Sequence, residues 1–231
     1  LGADVIKVEK PGGDLTRNIG PFYKDVPQPT KSLYWFAYNT NKRGITLNIE
    51  TKDGQEIFQR LVEESDFVIE SFPPGYMDKL SLGYSALSQV NPRIIMVSIT
   101  PFGQTGPYKD CKSSDLVSMA MGGMMYTCGD TDRPPLRFTV EQAYPLAGLQ
   151  AGLASLIAHH HRQVTGEGQW VDVSIQECVL WGAHWPIPWF KALAAPNLRA
   201  GSAQPRGRVA SRVIWPCKEG YVSWRLFVAN L

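Results

Sequence analysis

The sequence predicts an α/β fold: a mostly parallel sheet with helices on both faces, followed by the start of a smaller second domain. Three observations lead there. Short β-branched strands alternate with helical segments through the first half of the chain, the pattern of a doubly wound sheet. The run from Ile94 to Ile99 is almost continuously apolar, as in a strand covered on both faces. Turns bearing glycine and proline follow the strands, at Ser71–Gly75 and Pro101–Pro107. In open parallel sheets, ligands bind outside the carboxyl ends of the strands, which is where these loops fall.

Val5 to Val8 reads as a buried strand, and Lys10 to Asp14 as the turn that follows it. Lys10 and Arg17 beside that turn either hold a phosphate, with help from backbone N–H groups, or form a solvated loop. An aromatic-rich stretch, Ser32 to Ala37, leads through a polar turn (39–44) into a strand, Ile45 to Leu47. Asp53 to Glu64 is an amphipathic helix with Ile57, Phe58 and Leu61 inward. It feeds the strand Phe67–Glu70. Tyr84 to Val90 is a short helix broken by Asn91-Pro92, and Ser114 to Met121 is another. The methionines at 119, 121, 124 and 125 serve as flexible core filler or line a channel for a ligand arm.

The long helix comes next, with Pro145 suited to its first position and Gly166 in the turn that stops it. Leu146, Leu149, Leu153, Leu156 and Ile157 give it one apolar face. Gly148, Gly152 and Ser155 put small residues on a neighbouring face, where a second backbone has room to approach. Gln169 to Ile175 reads as a strand. Trp181 to Trp189 is apolar and broken by proline, suiting a subunit contact or an acyl pocket. Residues 1–193 therefore read as the large domain, 194–212 as a linker and 213–231 as the beginning of a small domain. The first residues enter a strand directly and the last look like an element cut short, so the chain reads as a fragment.

Net charge is +2, which gives no electrostatic case for nucleic acid or an anionic membrane. Four cysteines without a C-x-x-C pair fit reduced thiols and a cytoplasmic location better than disulfides or zinc. No apolar run is long enough to span a bilayer. His159, His160 and His161 follow one another on a helix, about 100° apart, and cannot converge on one metal ion. A carboxylate just before a helix gains from the unpaired N–H groups and the positive end of the dipole, so Glu141 is either a helix-start charge or a candidate nucleophile.

Several stretches resemble the class III CoA-transferases: LGADVIKVEKPGGDLTR, NKRGITLNI, VIESFPPGYMDKLSLGY, NPRIIMVSITPFGQTGPY and TGEGQWVDVSIQE. That family includes carnitine CoA-transferases, formyl-CoA transferases and α-methylacyl-CoA racemases. The resemblance implies a Rossmann-like sheet, a small second domain and an interlocked homodimer. It implies that this chain lacks the family's first strand and helix. It also implies CoA or acyl-CoA as substrate rather than as a tightly bound cofactor, with a carboxylic acid as acceptor. CoA would meet Lys10, Ser71, Phe72, Pro74, Gly75, Lys79, Gly103, Gln104 and Gly201. No metal is implied.

The family nucleophile is an aspartate that forms a mixed anhydride and then an enzyme-bound CoA thioester. Counting back from Thr165-Gly166 puts its place at Ala143 or Tyr144, and counting forward from Pro134 puts it at Glu141. The glycine loop is thin as well, around Gly201. Three readings follow. The chain is a CoA-transferase using Glu141; or a non-catalytic, CoA-binding subunit of a heteromer, with Tyr144 in the aspartate's place; or an acyl-CoA racemase. The last is opposed by Ser114, which stands where the racemases carry an acid/base histidine.

Overall fold

The computed structural model describes residues 2–182, 186–194, 198–206 and 209–224. They form two compact units, one from residues 1–66 with 76–92, the other from residues 67–75 with 93–231.

In the first unit, β1 (Val5–Glu9) and β2 (Lys42–Thr46) pair in parallel, with Val5 opposite Lys42. The connection between them carries α1 (Leu33–Asn39), capped by the Ser32 hydroxyl, which accepts the N–H of Trp35. Each strand has the other as its hydrogen-bonded neighbour, so β1 is not buried as expected: Val5 and Ile6 stay exposed and only Glu9 is covered. After β2 comes α2 (Lys52–Glu63), whose first turn is closed by Thr51 Oγ1 accepting the N–H of Gly54. It turns Val62 inward and leaves Ile57 exposed, against expectation. Asn91 donates to the carbonyls of Val62 and Ser65 at 3.0 Å each, and so ties the end of α2 to the end of α4 (Tyr84–Val90). The short α3 (Tyr76–Lys79) precedes α4.

The second unit holds a parallel trio in the order β3 (Phe67–Glu70), β4 (Ile95–Thr100), β5 (Trp170–Ser174). β4 is central and buried on both faces, as its apolar run predicts. The mixed α/β class with parallel strands holds, with those strands divided between a pair and a trio.

Helices α5 (Asp115–Met121), α6 (Ala143–Thr165), α7 (Ile175–Gly182) and α8 (Pro186–Leu193) follow. The apolar row Ile95, Val97, Val173 and Ile175 packs with Ala143, Ala147, Ala151 and Ala158 of α6, and with Met119 and Val179. Burial of this apolar surface is the main stabilising term for the unit.

This packing corrects the face assigned to α6. The helix buries Ala143, Ala147, Ala151 and Ala158, keeps only Leu146 of the expected face packed beside them, and leaves Leu149 at 70% and Leu153 at 53% exposure. Alanine methyls let a helix approach a sheet closely, and the core is closed by that approach. Among the described residues, a side chain added at Gly148 or Gly152 would meet nothing within 4 Å, so this face of the helix is open. The helix also begins at Ala143, which makes Pro145 its third residue; the first four N–H groups lack internal partners, so proline fits there equally well. Gly166 ends it in the left-handed conformation, as expected.

Met119 is buried, and Met124 and Met125 pack on the same core. Of the proline-bearing stretch, Trp181 and Gly182 end α7, with Trp181 exposed, and Pro186 and Pro188 fall in the first turn of α8; residues 183–185, Trp185 among them, lie outside the described residues. The stretch expected as a linker carries an antiparallel pair, β6 (Ala203–Arg206) and β7 (Val209–Arg212). The stretch expected to begin a small domain carries a second antiparallel pair, β8 (Ile214–Cys217) and β9 (Gly220–Ser223). Among the described residues, no helix is long and apolar enough to cross a membrane.

Candidate functional site

The start of α6 is organised by a residue the sequence reading did not single out. Asp115, first residue of α5 and 6% exposed, accepts the N–H groups of Gln142 (2.9 Å) and Ala143 (2.8 Å) through Oδ1. Gln142 supplies no side-chain cap, so a carboxylate from a neighbouring helix does that work. Such charge-assisted bonds are among the stronger ones. The only signal in the sequence was Ser114-Asp115 ahead of an apolar run, which reads as a local cap. Ser114 does cap α5, accepting the N–H of Val117.

Glu141 lies outside the helix, one residue before Gln142, and is partly buried. Tyr144 sits in the first turn and is half exposed. Partial burial pushes its phenol above the ordinary tyrosine range, and the negative charges of Glu141 and Asp115 push the same way. At neutral pH it is therefore a neutral phenol and a poor nucleophile.

The second feature is the loop at the carboxyl end of β4. Gly103 is buried with φ +83°, a conformation that favours glycine, and a Cβ there would meet the Asp172 carboxylate at 3.4 Å. Asp172 Oδ2 accepts the N–H of Gln104 at 2.9 Å, and Gln176 donates its N–H to the carbonyl of Pro101 at 3.0 Å. The rings of Phe102 and Tyr108 lie 6.0 Å apart and close the loop on itself. Phe102, Tyr108, Asp172, Ser174 and Glu177 are among the residues lining a cleft of ≈ 320 Å³. Strand register places Glu70, Ser98 and Asp172 in one row and Thr100 beside Ser174 in the next, so this sheet end is polar. The Thr100 hydroxyl is fully buried and has no hydrogen-bond partner among the described residues. Asp172 was also missed, because one aspartate in an alternating strand reads as an outward-facing residue.

The model of CoA-transferase family III matches residues 1–230. The chain belongs to that family. Among its relatives in the family is the succinyl-CoA:(R)-benzylsuccinate CoA-transferase subunit BbsE of Thauera aromatica, 38% identical over 96% of this chain and 53% of the relative. The succinyl-CoA–D-citramalate CoA-transferase of Chloroflexus aurantiacus is 39% identical over 100% of this chain and 56% of the relative. Among solved structures, a CaiB/BaiF family protein from Brucella suis superposes with a TM-score of 0.84, at 36% identity, over 96% of this chain and 58% of that one. This family III chain thus spans about half the length of the relatives it matches.

The remaining expected ligand residues divide between the two units. Ser71, Phe72, Pro74 and Gly75 follow β3 and share a sheet end with Gly103 and Gln104, since β3 and β4 are parallel neighbours. Phe72 donates its N–H to Glu70 Oε2 at 2.7 Å, which holds the turn, and its ring is partly exposed. Gly201 lies elsewhere in the same unit, donating to the carbonyl of Gly129 at 3.0 Å. The loop 126–133 that it meets is clamped by Arg199, which donates to the carbonyls of Tyr126, Asp130 and Arg133.

In the first unit, Lys10 is exposed after β1 and Lys79 is exposed at the end of α3. Arg17 is not available to a phosphate as the sequence suggested. It donates to both Glu9 oxygens, at 2.7 and 2.8 Å, and stacks 3.8 Å above the Trp35 ring. Its charge is spent inside the unit.

The histidines point to separate partners. His159 Nδ1 lies 2.9 Å from Arg162 Nη2, and His161 Nδ1 lies 3.1 Å from Gln169 Nε2.

Proposed function

We propose that this protein binds CoA thioesters and takes part in moving CoA between an acyl-CoA donor and a carboxylic acid, as the non-catalytic subunit of a heteromer. A homologous second subunit would supply the nucleophilic carboxylate. One observation carries this reading. At the helix start, where one count of the family resemblance puts the aspartate's place at Ala143 or Tyr144, Tyr144 is a neutral phenol, and the adjacent N–H groups of Gln142 and Ala143 are already taken by Asp115. A relative named as a subunit, at 38% identity, supports it. In this account Lys10, Lys79, Phe72 and the Gly103–Gln104 loop contribute to holding CoA, with Ser71, Pro74, Gly75 and Gly201 shaping the surrounding turns. The protein would work in the cytoplasm, with no nucleic acid or membrane partner.

A second reading keeps the chemistry in this chain, as a homodimer. It is favoured by the partly buried Glu141 carboxylate, whose charge is felt at Tyr144. Glu141 would attack the thioester carbonyl and expel the CoA thiolate, leaving a mixed anhydride. The thiolate would then attack the Glu141 carbonyl and release the donor acid, leaving an enzyme-bound CoA thioester. The acceptor carboxylate attacks that thioester next, and the displaced thiolate finally captures the acceptor acyl group and frees Glu141.

The test is to assay the full-length protein for CoA exchange alone and after co-expression with a homologous subunit that carries the aspartate. The subunit reading predicts activity only in the mixture, lost when the partner's aspartate becomes asparagine. Exchange by this protein alone would overturn it.

A further inference from the structure

The Pro101–Tyr108 loop would have little reason to hold one shape if left to itself. It leaves a buried strand end, contains two glycines at positive φ (Gly103 at +83° and Gly106 at +90°) and is exposed over Thr105–Tyr108. What fixes it comes from the neighbouring strand. Asp172 stands in β5 directly beside Ser98 of β4, two residues before the strand ends, and reaches up to accept the Gln104 N–H at 2.9 Å. Its carboxylate also faces Gly103, where a Cβ would sit in van der Waals contact with it at 3.4 Å. A second tether from the same connection, Gln176 N–H to the Pro101 carbonyl, holds the start of the loop.

We propose that Asp172 is a positioning residue: it sets the orientation of the Gly103–Gln104 peptide, and through it the affinity of the loop for CoA. The proposal rests on the reading that this loop contacts CoA. Asp172 touches no ligand in this account. It accepts one backbone donor and so fixes the loop beside the cleft that Phe102 and Tyr108 wall. Gly103 is the other half of the device, because its φ of +83° is one that residues bearing a Cβ rarely adopt, so a substitution there re-orients the same peptide.

The test is calorimetric titration of the full-length protein with CoA, using Asp172→Ala, Gly103→Ala and the double variant. Each single change weakens CoA by about tenfold, the effect of one charge-assisted hydrogen bond. The double variant is no weaker than either single one, because both changes release the same Gly103–Gln104 peptide. Asp172→Asn recovers most of the affinity, since its amide oxygen still accepts the Gln104 N–H. Melting temperatures of the Asp172 variants stay within about 2 °C of the parent, as suits an exposed side chain. Should Asp172→Ala fail to fold, Asp172→Glu takes its place, misplacing the carboxylate by a methylene. Unchanged CoA affinity in the Asp172 variants, or losses that add in the double variant, would overturn the proposal while leaving CoA binding intact. A parent that binds no CoA would overturn both the proposal and the reading beneath it.

Discussion

Glu9 and Asp115 are carboxylates of nearly equal burial, 8% and 6% exposed, yet they are held in opposite ways. Glu9, in the first unit, is held chiefly by a side chain: Arg17 grips both oxygens and sits 3.8 Å from the centre of the Trp35 ring, with one backbone N–H, that of Asp14, added at 2.9 Å and Lys7 bridging to Asp14 at 3.0 Å nearby. Asp115, in the second unit, is held by backbone, through two N–H groups at the start of α6. A side-chain partner is a charge that local sequence advertises and that is easily mistaken for a ligand site. A backbone partner leaves no trace in the sequence.

The largest effect should come from breaking the backbone-held carboxylate. Asp115→Ala leaves two N–H groups at a buried helix start without an acceptor and should cost about 2–4 kcal/mol in chemical denaturation. Asp115→Asn should cost less than half as much, because one acceptor oxygen remains. Equal stability of Asp115→Ala and the parent would mean that α6 starts without this cap.

Arg17→Ala should cost less, on the order of 1–2 kcal/mol, and adding Glu9→Gln should restore part of it by removing the stranded charge. The same variant should leave CoA affinity unchanged. A tenfold loss would return Arg17 to the ligand site.

The smallest effect is titration of the first unit with acid. Burial opposes the charge of Asp14, but hydrogen bonds from Thr16 and Lys7 outweigh it and bring its carboxyl down to about 2. Glu9 is lowered as well, chiefly by its bonds from Arg17. Groups whose folded pKa is depressed contribute stability above their unfolded pKa and lose it as pH falls through the folded one. Stability should therefore drop between about pH 4 and pH 2, by on the order of 1 kcal/mol from Asp14, and Asp14→Asn should flatten that slope.

The two units were not equally legible. Phe67–Glu70 and Tyr84–Val90 were readable to the residue, because a short β-branched run and a helix ended by Asn-Pro leave little choice. The resemblance to family III was carried by motifs spread along the chain, and it held over residues 1–230. The buried face of α6 was misread because the helix is apolar all round, and periodicity cannot say whether leucine or alanine faces the sheet. Asp115 escaped notice because its partners lie 27 and 28 residues away. Asp172 did so because its partner is 68 residues away. Neither reading open for Arg17, phosphate contact or solvated loop, included Glu9, because that contact forms only once the whole turn has folded.

The most direct test of the account is chemical trapping at the start of α6. The full-length protein, alone, is incubated with several acyl-CoA thioesters, treated with hydroxylamine or borohydride, and mapped by mass spectrometry. The account predicts CoA binding without a covalent acyl or CoA adduct on any carboxylate. A modification on Glu141, absent in Glu141→Gln, would contradict it and make this chain the catalytic one.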